Sequence, residues 1–451
     1  MPGIVGSLRL TAAADSDRLR ECFGRVTEMR ADNADGDDHM IAINETLGYT
    51  TVDATGGYQR SLESRWRRRT ARLRTGQGPL PVRERSGRGS AGAARTIRLP
   101  PGSPTEHTGA MRIIELDPAD EELISGAFDV MRAAHAVDTP EHPPPHRGMF
   151  AKTLRHPVPE ADTVDFVAVV DGTVRGRLHI CLFNRSNRHV AVAELTVHPE
   201  HRRRGVGAAL LDRFIEHARA HDRTELLIET PMTWEGGPER DEAGRRFLER
   251  RGFKRALTSV NRRCATDALD AVEEQELLDR AAAAAAEDYE IVSWVGRTPG
   301  ELVDTMCRLD SMVLSELPLG DLDLEAETVD AELKEARAAR NEAIGIVPVT
   351  TVARHRDSGE VVANTVIGVL DDPDFRHGFQ WITIVHPDHR GHRLGTLVKV
   401  VNLRLLRARF PQVETIWTDN ADVNSHMGAI NAVMGFEAVD AVGEHMLRLD
   451  S

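Results

Sequence analysis

Two stretches of the chain share a plan that suits one kind of chemistry. VHPEHRRRGVG runs from Val197 to Gly207, and VHPDHRGHRLG from Val385 to Gly395. Each passes from an apolar run through a His-Pro turn and an arginine-bearing loop into an amphipathic pattern. A turn between a strand and a helix N-terminus aims several free backbone N–H groups into one concavity. The helix dipole adds positive charge there, so a pyrophosphate can rest in it. Glycine lets the backbone approach the phosphates with no Cβ in the way. The first loop supplies Gly205 and Gly207 around Val206, with Arg202, Arg203 and Arg204 adding charge. The second supplies Arg390, Gly391, His392, Arg393, Leu394 and Gly395. One such loop alone would read as a tight turn with a solvated basic face. Two, each between a strand and a helix, favour an anion cradle.

The elements that must position these loops also repeat. After the first loop, Leu210, Leu211, Phe214, Ile215 and Ala218 share one helical face; after the second, Leu394, Leu397, Val398, Val401 and Leu405 do. VAVAELTV and FQWITIV are the strands before them. DFVAVVDGTVRGRLHICLF alternates around Asp171-Gly172, a hairpin signal, and VTTVARHRDSGEVVANTVIGVL is its counterpart. MRIIEL and EIVSWV open the two series as strands, each followed by a helical pattern. The spacing predicts an α/β (α+β) chain of two tandem copies, 111–262 and 288–451. The Ala- and Glu-rich stretch 263–287 reads as a helical linker.

One carboxylate, Glu194, lies inside the strand VAVAELTV. A charge there is either functional or on a solvated face. The matching place in the second copy is Ile382, which has no acid-base capacity. EHPPPHRG, Glu141 to Gly148, lacks spaced partners for a metal and reads as an acceptor-side loop.

The whole-chain numbers narrow the classes. At 451 residues, about 150 per domain suggests three units. Fifty-seven Lys and Arg against seventy-one Asp and Glu leave a net charge of −14, which argues against general nucleic-acid binding. No apolar run reaches the ~18 residues of a membrane span, and MPGIVGSLRL does not read as a signal peptide. Four scattered cysteines without a CxxC pair fit a reduced cytoplasm and argue against a disulfide framework or a zinc cluster, so no metal is expected.

The paired loops and the ending NADVNSHMGAINAVMGF resemble the GNAT N-acetyltransferase superfamily, in its actinobacterial-type tandem form. Its signature is Arg/Gln-x-x-Gly-x-Gly/Ala after a V-x-P strand end. Arg202, Gly205 and Gly207 match it, as do Arg390 and Gly395, while Arg393 replaces a glycine. The resemblance covers nearly all of 111–451. It implies two GNAT domains, each a mixed, splayed central sheet flanked by helices. It implies acetyl-CoA as donor and a primary amine of a small molecule as acceptor. The pantetheine would lie against Leu195 and Val197 in the first copy and Thr383 and Val385 in the second. Glu194 would be the base. Asn424 would contact the pantetheine or phosphate arm, or simply cap a helix; Asp241 holds that place in the first copy. The family's acid is a tyrosine four residues before the glycine of the final Gly-Phe. Leu248 and Asn431 stand there instead, and Tyr289 is one of few substitutes. The expected reaction is direct attack on the thioester in a ternary complex, the carbonyl polarised by backbone N–H groups of the splayed strand. A mycothiol-synthase-like tandem enzyme and a non-catalytic acyl-CoA binder are the alternatives. Two copies in one chain can mimic a dimer, so monomer and homodimer both stay open.

The first 110 residues pose a separate question. DNADGDDHMIAINETLGY, Asp32 to Tyr49, matches Asp419 to Phe436 at ten of eighteen positions. Residues 1–58 thus read as a partial copy lacking its phosphate loop, from a gene fusion or from a start codon upstream of a true beginning at Met111. The Arg/Gly/Pro-rich stretch 59–110 reads as a disordered linker, with nucleic-acid binding as its alternative.

Overall fold

The computed structural model describes residues 111–449 and a separate two-residue strand, Arg9–Leu10. The partial copy and the Arg-rich linker otherwise lie outside the described residues.

In the first half, β1 (Arg112–Glu115) leads into α1 (Glu121–Asp138) and α2 (Arg147–Arg155). The hairpin of β2 (Ala161–Val170) and β3 (Thr173–Phe183) follows. Asp171 and Gly172 join them with φ of 51° and 76°, the two left-handed residues a tight hairpin loop demands. β4 (Val190–Val197) pairs with β3, and α3 (Val206–Ala220) leads to β5 (Glu225–Met232), parallel to β4. α4 (Ala243–Arg250) and β6 (Lys254–Ala265) end the half. α5 (Ala271–Ala285) links it to the second. There, β7 (Tyr289–Val295), α6 (Val303–Asp310), α7 (Val313–Glu316) and α8 (Ala331–Ile344) precede the hairpin of β8 (Ile346–His355) and β9 (Val361–Leu370). β10 (His377–Val385), α9 (Leu394–Arg409), β11 (Thr415–Ala421), α10 (Ser425–Val433) and β12 (Glu437–Arg448) complete it.

The two halves do not close separately. All strands form one thirteen-stranded sheet ordered β7-β8-β9-β10-β11-β6-β12-β5-β4-β3-β2-β1, with Arg9–Leu10 beside β7. β6, from the first half, lies against β11 of the second. β12, from the second, lies against β5 of the first. The halves thus exchange their last strands, and β6 and β12 pair antiparallel at the seam. The exchange covers the edges that β5 and β11 would otherwise leave unpaired.

Loops cross the seam as well. Asn187 exchanges hydrogen bonds with the backbone of Glu325 at 3.1 and 2.7 Å, and Asp321 N–H donates to Ala256 at 3.1 Å. Leu322 from this crossing segment packs with Val190 and Leu227. In return, His142 and His146 of EHPPPHRG reach Asp440 and Asp372 at 2.9 and 3.0 Å, while Glu141 pairs with Arg240 of its own half at 2.7 Å. That segment, expected on the acceptor side, therefore fastens one half to the other.

The linking helix is a third layer. α3 buries only Val206, Leu210, Leu211, Phe214 and Ala218. α9 is buried continuously from Leu394 to Leu406, Lys399, Asn402 and Arg404 included. Its outer side is covered by α5, whose Leu277, Leu278, Ala281 and Ala285 join the same core. Glu274 of α5 accepts from Arg404 at 2.6 Å. Among the described residues no helix is long and apolar enough to cross a membrane.

Candidate functional site

Both loops take the same backbone path. Each strand ends in a short 3-10 turn, Pro199–His201 or Pro387–His389, and each following helix has a left-handed residue at its N-cap. In the first loop the left-handed positions are Arg203 and Gly205, with φ of 61° and 86°; in the second they are Gly391 and Arg393, at 87° and 55°. Glycine and arginine have changed places across two positions that both demand αL. Each loop thus bears one non-glycine strain of about 1–2 kcal/mol, and the Arg393 replacement leaves the cradle's conformation intact.

The side chains differ from the backbone in availability. Arg202 is committed to Asp138 at 2.8 Å and to the Val197 carbonyl at 3.2 Å. Arg390 pairs with Glu316. Arg203 and Arg204 are exposed, His392 is half-buried, and Val206 and Leu394 are core residues. Arg202 and Arg390 are thus committed, which leaves the loop amides and the exposed Arg203 and Arg204 to face an anion.

The strands splay where the expected donor path runs. β4 pairs with β5 only up to Ala193↔Ile228, and β10 with β11 only up to Phe379↔Trp417. Glu194, Leu195 and Val197 lie beyond the first limit; Thr383 and Val385 lie beyond the second. Each stretch therefore has no strand partner on that side. A bulge marks the second half alone: Val366↔Ile382 is followed by Ile367↔Gln380, which leaves Trp381 as the extra residue. A Cβ on Gly368 would lie 2.2 Å from the Trp381 ring, so the indole can sit there only over glycine.

The acids divide unexpectedly. Glu194 has a 68% exposed side chain, 3.1 Å from Arg177. Arg177 is buried against Asp165 at 2.7 Å, whose other oxygen meets His179 at 2.8 Å. Burial opposes the Asp165 charge, but hydrogen bonds from His179 and Arg177 outweigh it and hold the carboxyl below its usual value. Glu229 of β5 was not foreseen. Protein atoms surround its accessible carboxylate, and burial, then the charges of Glu444, Asp419 and Glu194, push it up to about 7. Asp419 holds the corresponding fifth place in β11 and is also raised, chiefly by burial. An acid at the same place in two repeated strands was the available signal.

The remaining candidates make contacts within the fold. Asn424 accepts from Met427 N–H at 3.2 Å and caps α10; Asp241 accepts from Ala243 N–H at 2.9 Å. Tyr289 is buried, its hydroxyl 3.0 Å from His389 Nδ1. Leu248 is a core residue. Asn431 is fully buried, accepting from Lys399 at 2.9 Å and donating to Asn420 at 2.6 Å. Burial pushes Lys399 down from 10.5 to about 8. The native state then releases this proton first, so the unfolded chain binds more protons between pH 8 and 10.5. Stability from this group rises as pH climbs through that window. Urea unfolding is expected to show wild type gaining about 2 kcal/mol on Lys399→Met between pH 7 and 9.5. An unchanged difference would remove the assignment.

The halves differ most in the space beside the splay. In the second half a cavity of about 770 Å³ opens there, with Thr350, Asn364, Val366, Trp381 and Ile382 in its wall. Counting registers from Val197↔Gly176 and Val385↔Ala363, Asn364 corresponds to Arg177, Thr350 to Asp165, and Val366 to His179. At these register positions the first half carries its buried ion-pair network instead, and Phe150 lies 5.1 Å from the Arg177 guanidinium. Among the described residues no group of three or more His, Cys, Asp or Glu is arranged to hold a metal.

A model of the Acetyltransferase (GNAT) family matches residues 130–253. A tandem GNAT protein from the clavulanic acid biosynthesis pathway has a similar structure, with TM-score 0.64 and 26% identity, over 76% of this chain and 99% of that one. A glucosamine N-acetyltransferase region of a fungal multi-domain β-N-acetylglucosaminidase shares the fold at TM-score 0.52 and 14% identity, covering 75% of this chain and 38% of that one. An N-acetyltransferase from Sphaerobacter thermophilus does so at TM-score 0.50 and 13% identity, over 75% and 95%. No curated protein matches the chain.

Proposed function

We propose that the chain is a tandem acyltransferase of the GNAT superfamily, and that its second half acetylates a primary amine of a small molecule, using acetyl-CoA. The carrying observation is the combination of three features there: a left-handed phosphate loop, a bulged and unpaired strand edge leading into it, and an open cavity beside that strand. Amides of Gly391 to Gly395 hold the pyrophosphate at the start of α9. The pantetheine runs along Thr383 and Val385, and backbone N–H groups near Trp381 and Ile382 polarise the thioester carbonyl. The amine enters from the cavity, gives up its ammonium proton to solvent, attacks the thioester carbonyl carbon, and displaces the CoA thiolate, which takes up the second proton lost as the amide forms.

Direct transfer is supported by the cysteines. Burial raises the Cys181 and Cys264 thiols to about 11 and raises Cys307 as well. Among the described residues no cysteine is thus poised as a thiolate to carry the acetyl group. The first half keeps the loop and the splay, but carries its buried ion-pair network at the register positions that line the second-half cavity. We read it as a donor-binding unit that does not transfer, with Glu194 held as a partner of Arg177 rather than as the base.

Initial rates with acetyl-CoA and an accepted amine test the order of events. Intersecting double-reciprocal lines and an amide product are expected; parallel lines would mean a covalent acetyl-protein instead.

A further inference from the structure

We propose that the second-half cavity selects a primary amine with an apolar body larger than an amino acid, its ammonium seated between Asn364 and Asp310. This rests on reading that cavity as the acceptor site.

Volume gives the first argument. About 770 Å³ falls in the range that encloses a drug-sized ligand, so a two- or three-carbon amine would leave most of it wet. Phe183, Met306, Leu314, Leu324 and Trp381 give the walls an apolar surface. Phe183 and Ser186 come from the first half and Leu314 from the second, so the pocket needs both halves.

The polar end supplies the second argument. Asn364 is 1% exposed, and its Oδ1 has no hydrogen-bond partner. Its Nδ2 donates to Asp310 at 3.4 Å, and the other Asp310 oxygen accepts from Lys334 at 2.7 Å. A buried amide oxygen left unpaired is costly, and an ammonium, with three donors and no acceptor, answers it while facing the Asp310 carboxylate. Asn364 lies opposite Ile384, and Val366 opposite Ile382, on the splayed strand. The nitrogen is thereby placed on the strand whose N–H groups would hold the carbonyl.

Charge gives the third argument. The lining carries five carboxylates and three cations. Among the described lining residues each cation already has an acidic partner: Lys334 has Asp310, Arg337 has Glu160 and Glu327, and Arg297 has Glu342. A carboxylate or phosphate tail would find no free cation, whereas a cationic ligand meets a negative surplus. Glu160 Oε2, buried and without a partner, adds a second acceptor.

The test is calorimetric titration of the full chain with 4-phenylbutylamine, without acetyl-CoA, against 4-phenylbutan-1-ol and glycine. The amine is expected to bind at least about tenfold more tightly than the alcohol, with no detectable glycine binding. Asn364→Leu should weaken the amine by about tenfold or more, Asn364→Asp should restore it, and Ser186→Trp should fill the pocket from the first half. Equal affinity for alcohol and amine, or full binding by Asn364→Leu, would overturn the proposal. Amine binding without any acetylated product would keep this inference and sink the transfer reading. Acetylation of glycine or ethanolamine with no binding of phenylbutylamine would do the reverse.

Discussion

Gly391→Val is expected to lower kcat/KM for acetyl transfer by about a hundredfold or more, whereas Gly205→Val should change it by less than about threefold. Gly391 and Gly205 hold φ of 87° and 86°, and no atom lies within 4 Å of a Cβ built on either. Bulk is therefore not the obstacle. The conformation is, because a β-branched residue in the left-handed region is a true outlier and each loop already strains an arginine there. The loop would turn away, and its amides would no longer converge on the pyrophosphate. Losing two charge-assisted hydrogen bonds, at about 1.5–3 kcal/mol each, accounts for a hundredfold or more. The contrast between the two variants is the informative quantity, since the loops match in backbone and differ in what they adjoin. If Gly205→Val abolished transfer and Gly391→Val did not, the reaction would belong to the first half. The Arg177–Asp165 network would then have to open during turnover. Loss in both would point to a donor site that needs the two halves together.

Asp440→Ala is expected to destabilise the folded chain by about 3–5 kcal/mol in urea unfolding at pH 7. Asp440 is fully buried in β12, where its carboxylate gathers His142, Arg240 and Asn261 at 2.9, 2.7 and 2.8 Å. All three come from the first half. Truncation would leave the buried Arg240 with Glu141 alone, which is why the loss exceeds the value of a surface pair. Burial opposes the Asp440 charge, but the hydrogen bonds from His142, Asn261 and Arg240 prevail and lower its pKa below 3.8. A depressed carboxylate stabilises above its unfolded value and loses that contribution as pH falls through its folded value. The wild-type advantage over Asp440→Ala should therefore hold from pH 7 down to about 4 and shrink below it. A loss under about 1 kcal/mol at pH 7 would show that the exchanged strands hold without this hub.

The sequence alone determined what is local. The hairpin at Asp171-Gly172, the strand-to-helix loops, the linking helix and the duplication were all legible, because turn chemistry and periodicity act over a few residues. Glu194 was legible as a charge in a strand; its fate was not, since Arg177 lies on the neighbouring strand and takes its direction from Asp165 and His179. Only the tertiary structure placed a cavity beside the splayed strand of the second half, where Asn364 stands at the register position that Arg177 holds in the first. The strand exchange was equally hidden. β6 and β12 carry alternation that fits any edge, and partners such as His142 and Asp440, 298 residues apart, leave no local trace. On α9, Lys399 donates to Asn431 of α10, Asn402 to the Val349 carbonyl of β8, and Arg404 to Glu274 of α5, so three different elements bury the polar residues of one helix. Glu229 is pushed up first by burial and then by Glu444, Asp419 and Glu194, carboxylates that three other strands bring alongside β5. Local pattern thus set the cradles; the meeting of distant strands set the pocket and its charges.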